Sequence, residues 1–190
     1  MNAFFAYISR MKHIKRWALM RNTMEENIQE HSHMVAVLAH ALATIRNRYF
    51  DGNVDVGEVT AVALFHDASE ILTGDMPTPI KYYNADIRNS YKEVERMAEK
   101  QLLQMLPQEM QEDYAHLLTP VNEEVEQIVK AADRLSAYIK CLEELNAGNR
   151  EFSRAAVQTL ASLHSCKLPE LEFFLEKFLP SFSLTLDELE

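Results

Sequence analysis

Glycine and proline are scarce in this chain of 190 residues, which contains 4 glycines and 6 prolines. Their scarcity disfavours long loops and sheets joined by tight turns, and it favours helices. Long hydrophobic runs are also lacking, so the sequence offers no membrane span. The short apolar stretch at the N-terminus precedes the basic residues, which is the wrong order for a secretion signal. We therefore predict a cytoplasmic protein.

Cysteine and positive charge are in short supply as well. Cys141 and Cys166 stand in neither metal-ligand nor redox spacing, and we interpret them as reduced thiols. The formal net charge is −10. This balance argues against binding to a nucleic-acid polymer, which needs a basic face, and no membrane partner is expected. A small anionic substrate is still compatible, because a few cations in a pocket can outweigh a distant net charge.

The organisation along the chain indicates a single all-α domain, residues 1–190, because repeats, low-complexity tracts and linkers are absent. Asp55 and Asn122 are predicted to cap helices. Eight breaker-rich residues, TGDMPTPI, are predicted to form a constrained loop over 73–80. Helices are predicted at about 3–11, 28–48, 56–65, 85–106, 108–118, 123–146, 151–165 and 169–179.

The stretch ALFHDASEIL, residues 63–72, places ionisable residues inside an apolar helical pattern. His66 and Asp67 are adjacent, and Glu70 follows one turn later. Burying such groups is costly unless a side chain, water or a metal ion partners them. Adjacent helical residues diverge by about 100°, so both reach one ion only near a helix end. The downstream breakers make such an end plausible; the competing interpretation is a surface Asp67 beside a half-buried His66.

Two further regions contain residues that can bind a metal ion. His31, His33 and His40 lie in one predicted helix, and only one of them is expected to face any given site. Asp133 lies in the apolar helix IVKAADRLSAYIKCLEEL. It is either exposed beside a neighbouring basic residue or directed into the core toward a metal ion, and the residues alone leave both interpretations open.

The ordered pattern H…HD…D resembles the signature of the HD-domain superfamily of metal-dependent phosphohydrolases. The segments RWALMRN, ENIQEHSHMVAVLAHAL, FHDASEILTGDMPTPIKYYN and VKAADRLSAYIKCLEELNAGN look like the bacterial HD-domain 5′-deoxynucleotidases of the YfbR type. The resemblance covers nearly the whole chain. It implies an HD-domain helical bundle that hydrolyses deoxyribonucleoside 5′-monophosphates to deoxyribonucleosides and phosphate. It further implies selectivity for deoxyribonucleotides over ribonucleotides, broad tolerance of the base, and a homodimer.

A metal site follows from the same resemblance, with His31, His66, Asp67 and Asp133 as its ligands. Two imidazoles and two carboxylates suit Co²⁺, Mn²⁺, Zn²⁺, Fe²⁺ or Cu²⁺ better than Mg²⁺. We expect one divalent transition metal ion, with Co²⁺ ahead of Mn²⁺, Cu²⁺ and Zn²⁺. The extra histidines of two-metal HD enzymes have no obvious counterparts in this sequence.

The expected catalytic residues are Glu70, Arg16 and Asp67. Glu70 would act as a general base on the attacking water or as an acid toward the leaving 5′-oxygen; alternatively it is an ordinary exposed glutamate. Arg16 offers a planar fork for a phosphate; alternatively it is a solvated charge.

The sugar pocket is expected to involve Trp17 and Asp75. Trp17, the only tryptophan, could close the pocket with its flat face or could anchor the core. Asp75 can accept a hydrogen bond from the 3′-hydroxyl. If both crowd the 2′ position on a backbone stiffened by Pro77 and Pro79, a ribonucleotide would clash. The predicted substrate-binding set is Arg16, Trp17, His31, Asp67, Asp75, Met76, Pro77, Thr78 and Asp133.

Two alternatives stay open at this point. One is another HD-domain phosphohydrolase, acting on dNTPs, cyclic nucleotides or alarmones, although few cationic residues lie near the motifs to hold a triphosphate. The other is a non-catalytic helical module in which the His66–Asp67 pair is structural, and whose 9 methionines and 9 phenylalanines serve an interaction surface.

Overall fold

The computed structural model describes residues 2–81 and 83–189, except for the side chains of Thr78 and Pro79. Its α-helices are α1 (Phe4–Ile8), α2 (Ile28–Tyr49), α3 (Val56–Phe65), α4 (Glu70–Thr73), α5 (Thr78–Lys81), α6 (Ala85–Leu103), α7 (Gln108–Leu118), α8 (Glu123–Asn146), α9 (Ser153–Ser165) and α10 (Pro169–Lys177). Short 3₁₀ helices lie at Met11–His13, Arg150–Phe152, Leu179–Ser183 and Leu186–Glu188. Within the described ranges β pairing is limited to one antiparallel bridge between Lys15 and Asn27. The all-α prediction is confirmed.

Polar caps set the starts of the three helices that matter most for the site. Asn27 begins α2 with a capping box: its side chain accepts a hydrogen bond from Glu30 N at 3.0 Å, and the Glu30 side chain accepts from Asn27 N. Asp55 caps α3, and Asn122 caps α8 by accepting from the first-turn amides. Both predicted caps are confirmed, and they fix where α3 and α8 begin.

The main hydrophobic core surrounds α2, which packs against α3, α8 and α10, while α8 also packs against α9. Apolar side chains recur at helical spacing on the facing surfaces, among them Leu38 and Leu42 on α2 and Leu135 on α8, all buried. This packing holds α2 and α8 side by side. Those are the two helices that carry His31 and Asp133.

A smaller apolar cluster lies beside the main core and joins α1, α6 and α7. Its buried members are Phe4, Ala68, Leu102, Leu106 and Leu118. Ala68 directly follows the His66–Asp67 pair, so this cluster supports the chain just beyond the end of α3.

Three predicted helix ends are wrong by a few residues. α1 stops at Ile8 rather than 11, and the chain continues as a 3₁₀ turn. α6 stops at Leu103 rather than 106, and the chain tightens into turns, because Pro107 disfavours the helical conformation of Leu106 before it. α10 stops at Lys177 rather than 179, since Pro180 cannot donate the next helical hydrogen bond.

None of the helices in the described part of the chain is both long enough and apolar enough to cross a membrane.

Candidate active site

The three histidines of α2 occupy different environments. His31 is fully buried, whereas His33 and His40 are exposed. His31 shares its helix face with Val35 and Leu38, which are also buried, so the apolar stripe of α2 carries it into the core. The structure therefore selects His31 from the three candidates.

The helix end required by the adjacent His66 and Asp67 is present. α3 ends at Phe65 with His66 as its C-cap residue, and the chain then turns through Asp67 before α4 begins at Glu70. In this turn His66 Nε2 lies 3.2 Å from Asp67 Oδ2. The departure from regular helix is what lets two consecutive side chains approach the same point.

Four of the predicted residues converge on one place. His31 Nε2 lies 3.0 Å from Asp133 Oδ1 on α8 and 3.6 Å from Asp67 Oδ2. One donor atom each from His31, His66 and Asp133 lie within 4.8 Å of one another, so these three side chains could hold a metal ion. Asp67 lies against both imidazoles and could provide a fourth ligand.

Both histidines are oriented in a way that suits a metal ion. His66 Nδ1 lies 2.7 Å from Ala63 O and donates its proton there, so the neutral ring carries its lone pair on Nε2. That Nε2 is buried and makes no hydrogen bond within residues 2–81 and 83–189, although Asp67 Oδ2 is near. On the other ring, His31 Nδ1 lies 3.2 Å from Ser136 Oγ. A buried nitrogen that faces two carboxylates without a hydrogen bond fits a ligand atom.

The electrostatics of this cluster are strongly perturbed. Burial alone would lower the pKa of His66, but the carboxylates of Asp67 and Asp133 outweigh it and raise that pKa to about 9. For Asp67, burial is likewise outweighed by His66, His31 and Arg16, which hold its pKa well below the usual range. A metal ion and a proton would compete for the His66 Nε2 lone pair.

Glu70 is a buried side chain at the start of α4, with 6% of its surface exposed. The interpretation of Glu70 as an ordinary exposed glutamate is therefore wrong. Burial raises the pKa of Glu70 to about 9, and the carboxylates of Asp67 and Asp75 add to the effect. Its Oε2 is buried and accepts no hydrogen bond from the described part of the chain.

Arg16 and Trp17 lie in the irregular segment between α1 and α2. The Arg16 side chain is only 13% exposed, and its Nη1 lies 3.5 Å from Asp67 Oδ2, so it is not a solvated charge. Trp17 has a left-handed backbone with φ of 56°, and its ring packs 5.3 Å from the ring of Phe152. Trp17 packs against the main core, so its interpretation as a core anchor holds in part, and it also follows Arg16 directly in the chain.

The segment 73–80 is only partly the loop that was predicted. Its first residue ends α4, and its last three belong to α5. Between them Gly74 adopts φ of 74°, and Asp75, Met76 and Pro77 are half-buried. Burial raises the pKa of Asp75. The charge of Arg16 lowers this pKa, and the charge of Asp67 raises it. The side chains of Thr78 and Pro79 lie outside the described residues, so the predicted role of Thr78 and the stiffening by Pro79 stay predictions.

Three polar partners of the site were missed by sequence reasoning. Glu26 Oε2 accepts hydrogen bonds from Arg16 Nε and Trp17 Nε1, and Ser136 adjoins His31. Lys81 lies near enough to Glu70 and Asp75 to lower their pKa values against the effect of burial. Ser136 follows Asp133 by three residues, and that helical spacing was a usable signal; nothing local marks Glu26.

The helical bundle and the cluster of two histidines and two aspartates beside a buried arginine define the class: HD-domain phosphohydrolases. The fold matches that of an HD-domain phosphohydrolase from Listeria innocua with a TM-score of 0.80 and 24% identity, covering 94% of this chain and 87% of that one. The sequence matches the family described as 5′-deoxynucleotidase YfbR-like over residues 3–182. The chain belongs to this YfbR-like family, and the resemblance is confirmed.

Two further relatives give the comparison more detail. A 5′-deoxynucleotidase of Pectobacterium atrosepticum is 53% identical over 188 residues, covering 98% of this chain and 94% of the relative. The cyanophage S-2L HD phosphohydrolase DatZ, solved with dA and one catalytic Zn²⁺ ion, aligns with a TM-score of 0.61 and 22% identity. That alignment covers 93% of this chain and 96% of DatZ, and at this identity it supports the fold alone.

Proposed function

We propose that this protein is a metal-dependent 5′-deoxynucleotidase that converts deoxyribonucleoside 5′-monophosphates into deoxyribonucleosides and phosphate. One observation carries the proposal: the Arg16 guanidinium lies 3.5 Å from Asp67, which also contacts His31 and His66. A phosphate-binding cation thus adjoins a metal-binding cluster, which is what hydrolysis of a phosphate monoester needs. The curated relatives, named 5′-deoxynucleotidases, support the same reaction.

His31, His66, Asp67 and Asp133 are the side chains that would hold the metal ion. Once bound, a divalent ion supplies positive charge that polarises the phosphoryl group and makes a water molecule more acidic. The mixed nitrogen and oxygen donor set favours a transition metal over Mg²⁺, and Co²⁺ is our first choice before Mn²⁺, Cu²⁺ and Zn²⁺. The Zn²⁺ ion in DatZ is consistent with that class of metal.

Arg16 and Glu70 would carry the remaining chemistry. Arg16 is buried with its Nη1 beside Asp67, and its guanidinium can bind a phosphate oxygen there and offset the charge that develops on it. Glu70, buried three residues after Asp67, can take a proton from the attacking water or give one to the leaving 5′-oxygen. Its buried environment favours the protonated form, and the added charge of a cation would favour the carboxylate.

Selectivity for the deoxyribose would come from Trp17 and the segment 75–78. The half-buried Asp75 can accept a hydrogen bond from the 3′-hydroxyl, with Met76, Pro77 and Thr78 beside it. Trp17 is held against Phe152 and can act as a firm wall that excludes a 2′-hydroxyl. With no base-reading group among these residues, we expect broad tolerance of the base.

The test is a phosphate-release screen on metal-stripped protein. Each deoxyribonucleoside and ribonucleoside 5′-monophosphate is assayed with Co²⁺, Mn²⁺, Mg²⁺ or Zn²⁺ added in turn. We expect release from deoxyribonucleotides that requires a transition metal, and much slower release from ribonucleotides. Equal rates on the two sugars would refute the selectivity, and release of triphosphate from a dNTP would favour the alternative HD phosphohydrolase.

The homodimer, the cytoplasmic location and the single-domain organisation stay predictions from the sequence. Gel filtration with light scattering would test the first of them directly.

A further inference from the structure

Glu26 joins the two residues that we expect to contact the substrate. Its Oε2 accepts hydrogen bonds from Arg16 Nε at 3.0 Å and from Trp17 Nε1 at 3.2 Å. The Glu26 side chain is only 14% exposed. A single carboxylate oxygen therefore fixes both the guanidinium and the indole, two groups that belong to different parts of the expected site.

The backbone reinforces this side-chain clamp. Arg16 N donates to Glu26 O at 3.0 Å, and Ile28 N donates to Ile14 O at 3.0 Å. Together with the bridge between Lys15 and Asn27, these bonds form a short antiparallel pairing. The pairing ends where α2 begins, one turn before His31. The clamp thus fixes the positions of Arg16 and Trp17 relative to α2, the helix that carries His31.

Both partners of Glu26 need such a fixed acceptor. The chain that carries an arginine guanidinium is flexible, so a hydrogen bond at Nε fixes the direction in which the rigid planar fork points. With Nε bonded to Glu26, the Nη1 edge is turned toward Asp67. Trp17 holds a left-handed backbone conformation that is costly for a bulky residue and persists only where its surroundings impose it.

We propose that Glu26 is a positioning residue that sets turnover through Arg16 and deoxyribose selectivity through Trp17. The inference rests on the proposed function, because it assumes that Arg16 binds the phosphate and that Trp17 bounds the sugar. Glu26 itself touches neither expected metal ligands nor reacting atoms in the contacts described.

Two variants separate the charge of Glu26 from its hydrogen bonds. Glu26→Ala removes the acceptor for both groups. Glu26→Gln keeps an oxygen that can accept from both N–H groups but lacks the negative charge beside Arg16. Glu25→Ala is the matched control, because Glu25 is the preceding residue, is 72% exposed on its side chain and pairs with the exposed Lys15.

Three readouts are taken from each variant. The kinetic readouts are kcat and KM for one deoxyribonucleotide, and the ratio of kcat/KM between that nucleotide and its ribose counterpart. The third is the fluorescence of Trp17, the only tryptophan in the chain, with its quenching by acrylamide. Metal-dependent thermal stabilisation is measured alongside to show that the ligand cluster is intact.

For Glu26→Ala we expect kcat to fall about 10- to 100-fold with a smaller change in KM, because the guanidinium is no longer held in place. The selectivity ratio should fall toward 1, and Trp17 should become more accessible to quencher. Glu26→Gln should keep the wild-type fluorescence and selectivity while kcat falls. Glu25→Ala should match the wild type in every readout.

Wild-type kcat and selectivity in Glu26→Ala, or equal losses in the Glu25→Ala control, would overturn the proposal. If Glu26→Ala does not fold, Glu26→Gln decides: lost selectivity together with unchanged kcat would contradict the assignment. If the wild-type protein releases no phosphate from any deoxyribonucleotide, the proposed function fails instead. The fluorescence comparison would still show whether Glu26 holds Trp17, so the two failures are distinguishable.

Discussion

The expected metal ligands and the expected substrate contacts lie in two different kinds of structure. His31 and Asp133 lie within the long helices α2 and α8, fixed by backbone hydrogen bonds and by the main core. Arg16, Trp17 and Asp75 lie in irregular segments that a few side chains hold in place. The difference teaches that His31 and Asp133 should keep their places when a single side chain that holds the substrate contacts is lost, because helical hydrogen bonds and the main core hold them in either case.

The irregular segment between α1 and α2 has a buried ionic anchor. Glu144, on the last turns of α8, is 1% exposed. It accepts hydrogen bonds from Thr23 N at 2.9 Å, Thr23 Oγ1 at 2.7 Å and Asn149 Nδ2 at 2.8 Å. Lys140 Nζ lies 2.6 Å from Glu144 and also donates to Met24 O. This anchor holds the stretch that connects Trp17 to Glu26.

The segment between α4 and α6 is held by weaker contacts. Tyr91 Oη lies 3.3 Å from Thr73 Oγ1 and 3.4 Å from Gly74 O. Lys81 pairs with Glu95 at 2.7 Å, and both side chains are more than a fifth exposed. We therefore expect substitutions here to have smaller effects than those at Glu144.

The largest effect is expected from Asp133→Ala. Loss of an expected ligand should reduce phosphate release about 100-fold or more, and should abolish the rise in thermal stability that metal gives the wild type. That rise corresponds to about 2.7 kcal/mol when the metal is at 100 times its Kd. Asp133 is half-buried rather than in the apolar core, so the fold should persist, as circular dichroism would show. The control is Asp113→Ala, at an exposed aspartate of α7. If metal still stabilised the Asp133→Ala variant, the assignment of Asp133 as a ligand would be contradicted.

The next effect is expected from Glu144→Ala. It leaves the buried Lys140 ammonium without its carboxylate, which should lower the free energy of unfolding by about 3–5 kcal/mol in urea titrations. Metal-dependent stabilisation should remain in the folded fraction, because the four expected ligands are untouched. Glu143→Ala, at the exposed neighbouring residue, should change the free energy of unfolding by less than about 0.5 kcal/mol. Equal losses of unfolding free energy in Glu144→Ala and Glu143→Ala would show that Glu144 is not a special anchor.

The same anchor predicts a dependence on pH. Burial alone would raise the pKa of Glu144, but hydrogen bonds from Lys140, Asn149 and Thr23 outweigh it and hold that pKa far below its ordinary value of 4.5. Because only the unfolded chain takes up the proton near 4.5, this carboxylate stabilises the fold above that pH and the stabilisation is lost as pH falls. The gap in stability between the wild type and Glu144→Gln should therefore shrink below about pH 4.5. A gap that stays constant down to pH 3 would contradict the lowered pKa.

The smallest effect is expected from Tyr91→Phe. Removing the hydroxyl near Thr73 and Gly74 should lower the free energy of unfolding by about 0.5–1.5 kcal/mol. Since the segment carrying Asp75 is loosened rather than lost, KM for a deoxyribonucleotide should rise by about two- to fivefold with kcat nearly unchanged. Tyr83→Phe, at a residue that is 77% exposed, is the control. If Tyr91→Phe lowered the free energy of unfolding more than Glu144→Ala, the segment between α4 and α6 would not be the more weakly held of the two.

Much of the helical frame could be predicted from the sequence. Apolar periodicity and the caps Asp55 and Asn122 gave correct starts for α3 and α8. The choice of His31 among three histidines came from the family resemblance, yet its spacing of four and seven residues from Val35 and Leu38 would have indicated the buried face. Local patterns suffice where a residue is positioned by its own helix.

The supports of the irregular segments could not be predicted, for a physical reason. Glu144 contacts Thr23, which is 121 positions away, and no local pattern encodes such a pairing. Glu26 binds Arg16 and Trp17 only because the chain reverses direction between them, and a carboxylate in a polar stretch gives no sign of this. The predicted ends of α6 and α10 ran too close to Pro107 and Pro180, since the helices stop before the prolines and the chain continues in turns.

One face of α8 carries Asp133, Ser136, Lys140 and Glu144, at successive intervals of three, four and four residues. The helix rises by about 1.5 Å per residue. It therefore fixes the distance between Asp133, in the metal-binding cluster, and Glu144, which anchors the segment between α1 and α2. A single-residue insertion between Ser136 and Lys140 would rotate one end by about 100° relative to the other, so the two could no longer point the same way. Length changes near residue 19, outside α8, would leave that alignment intact.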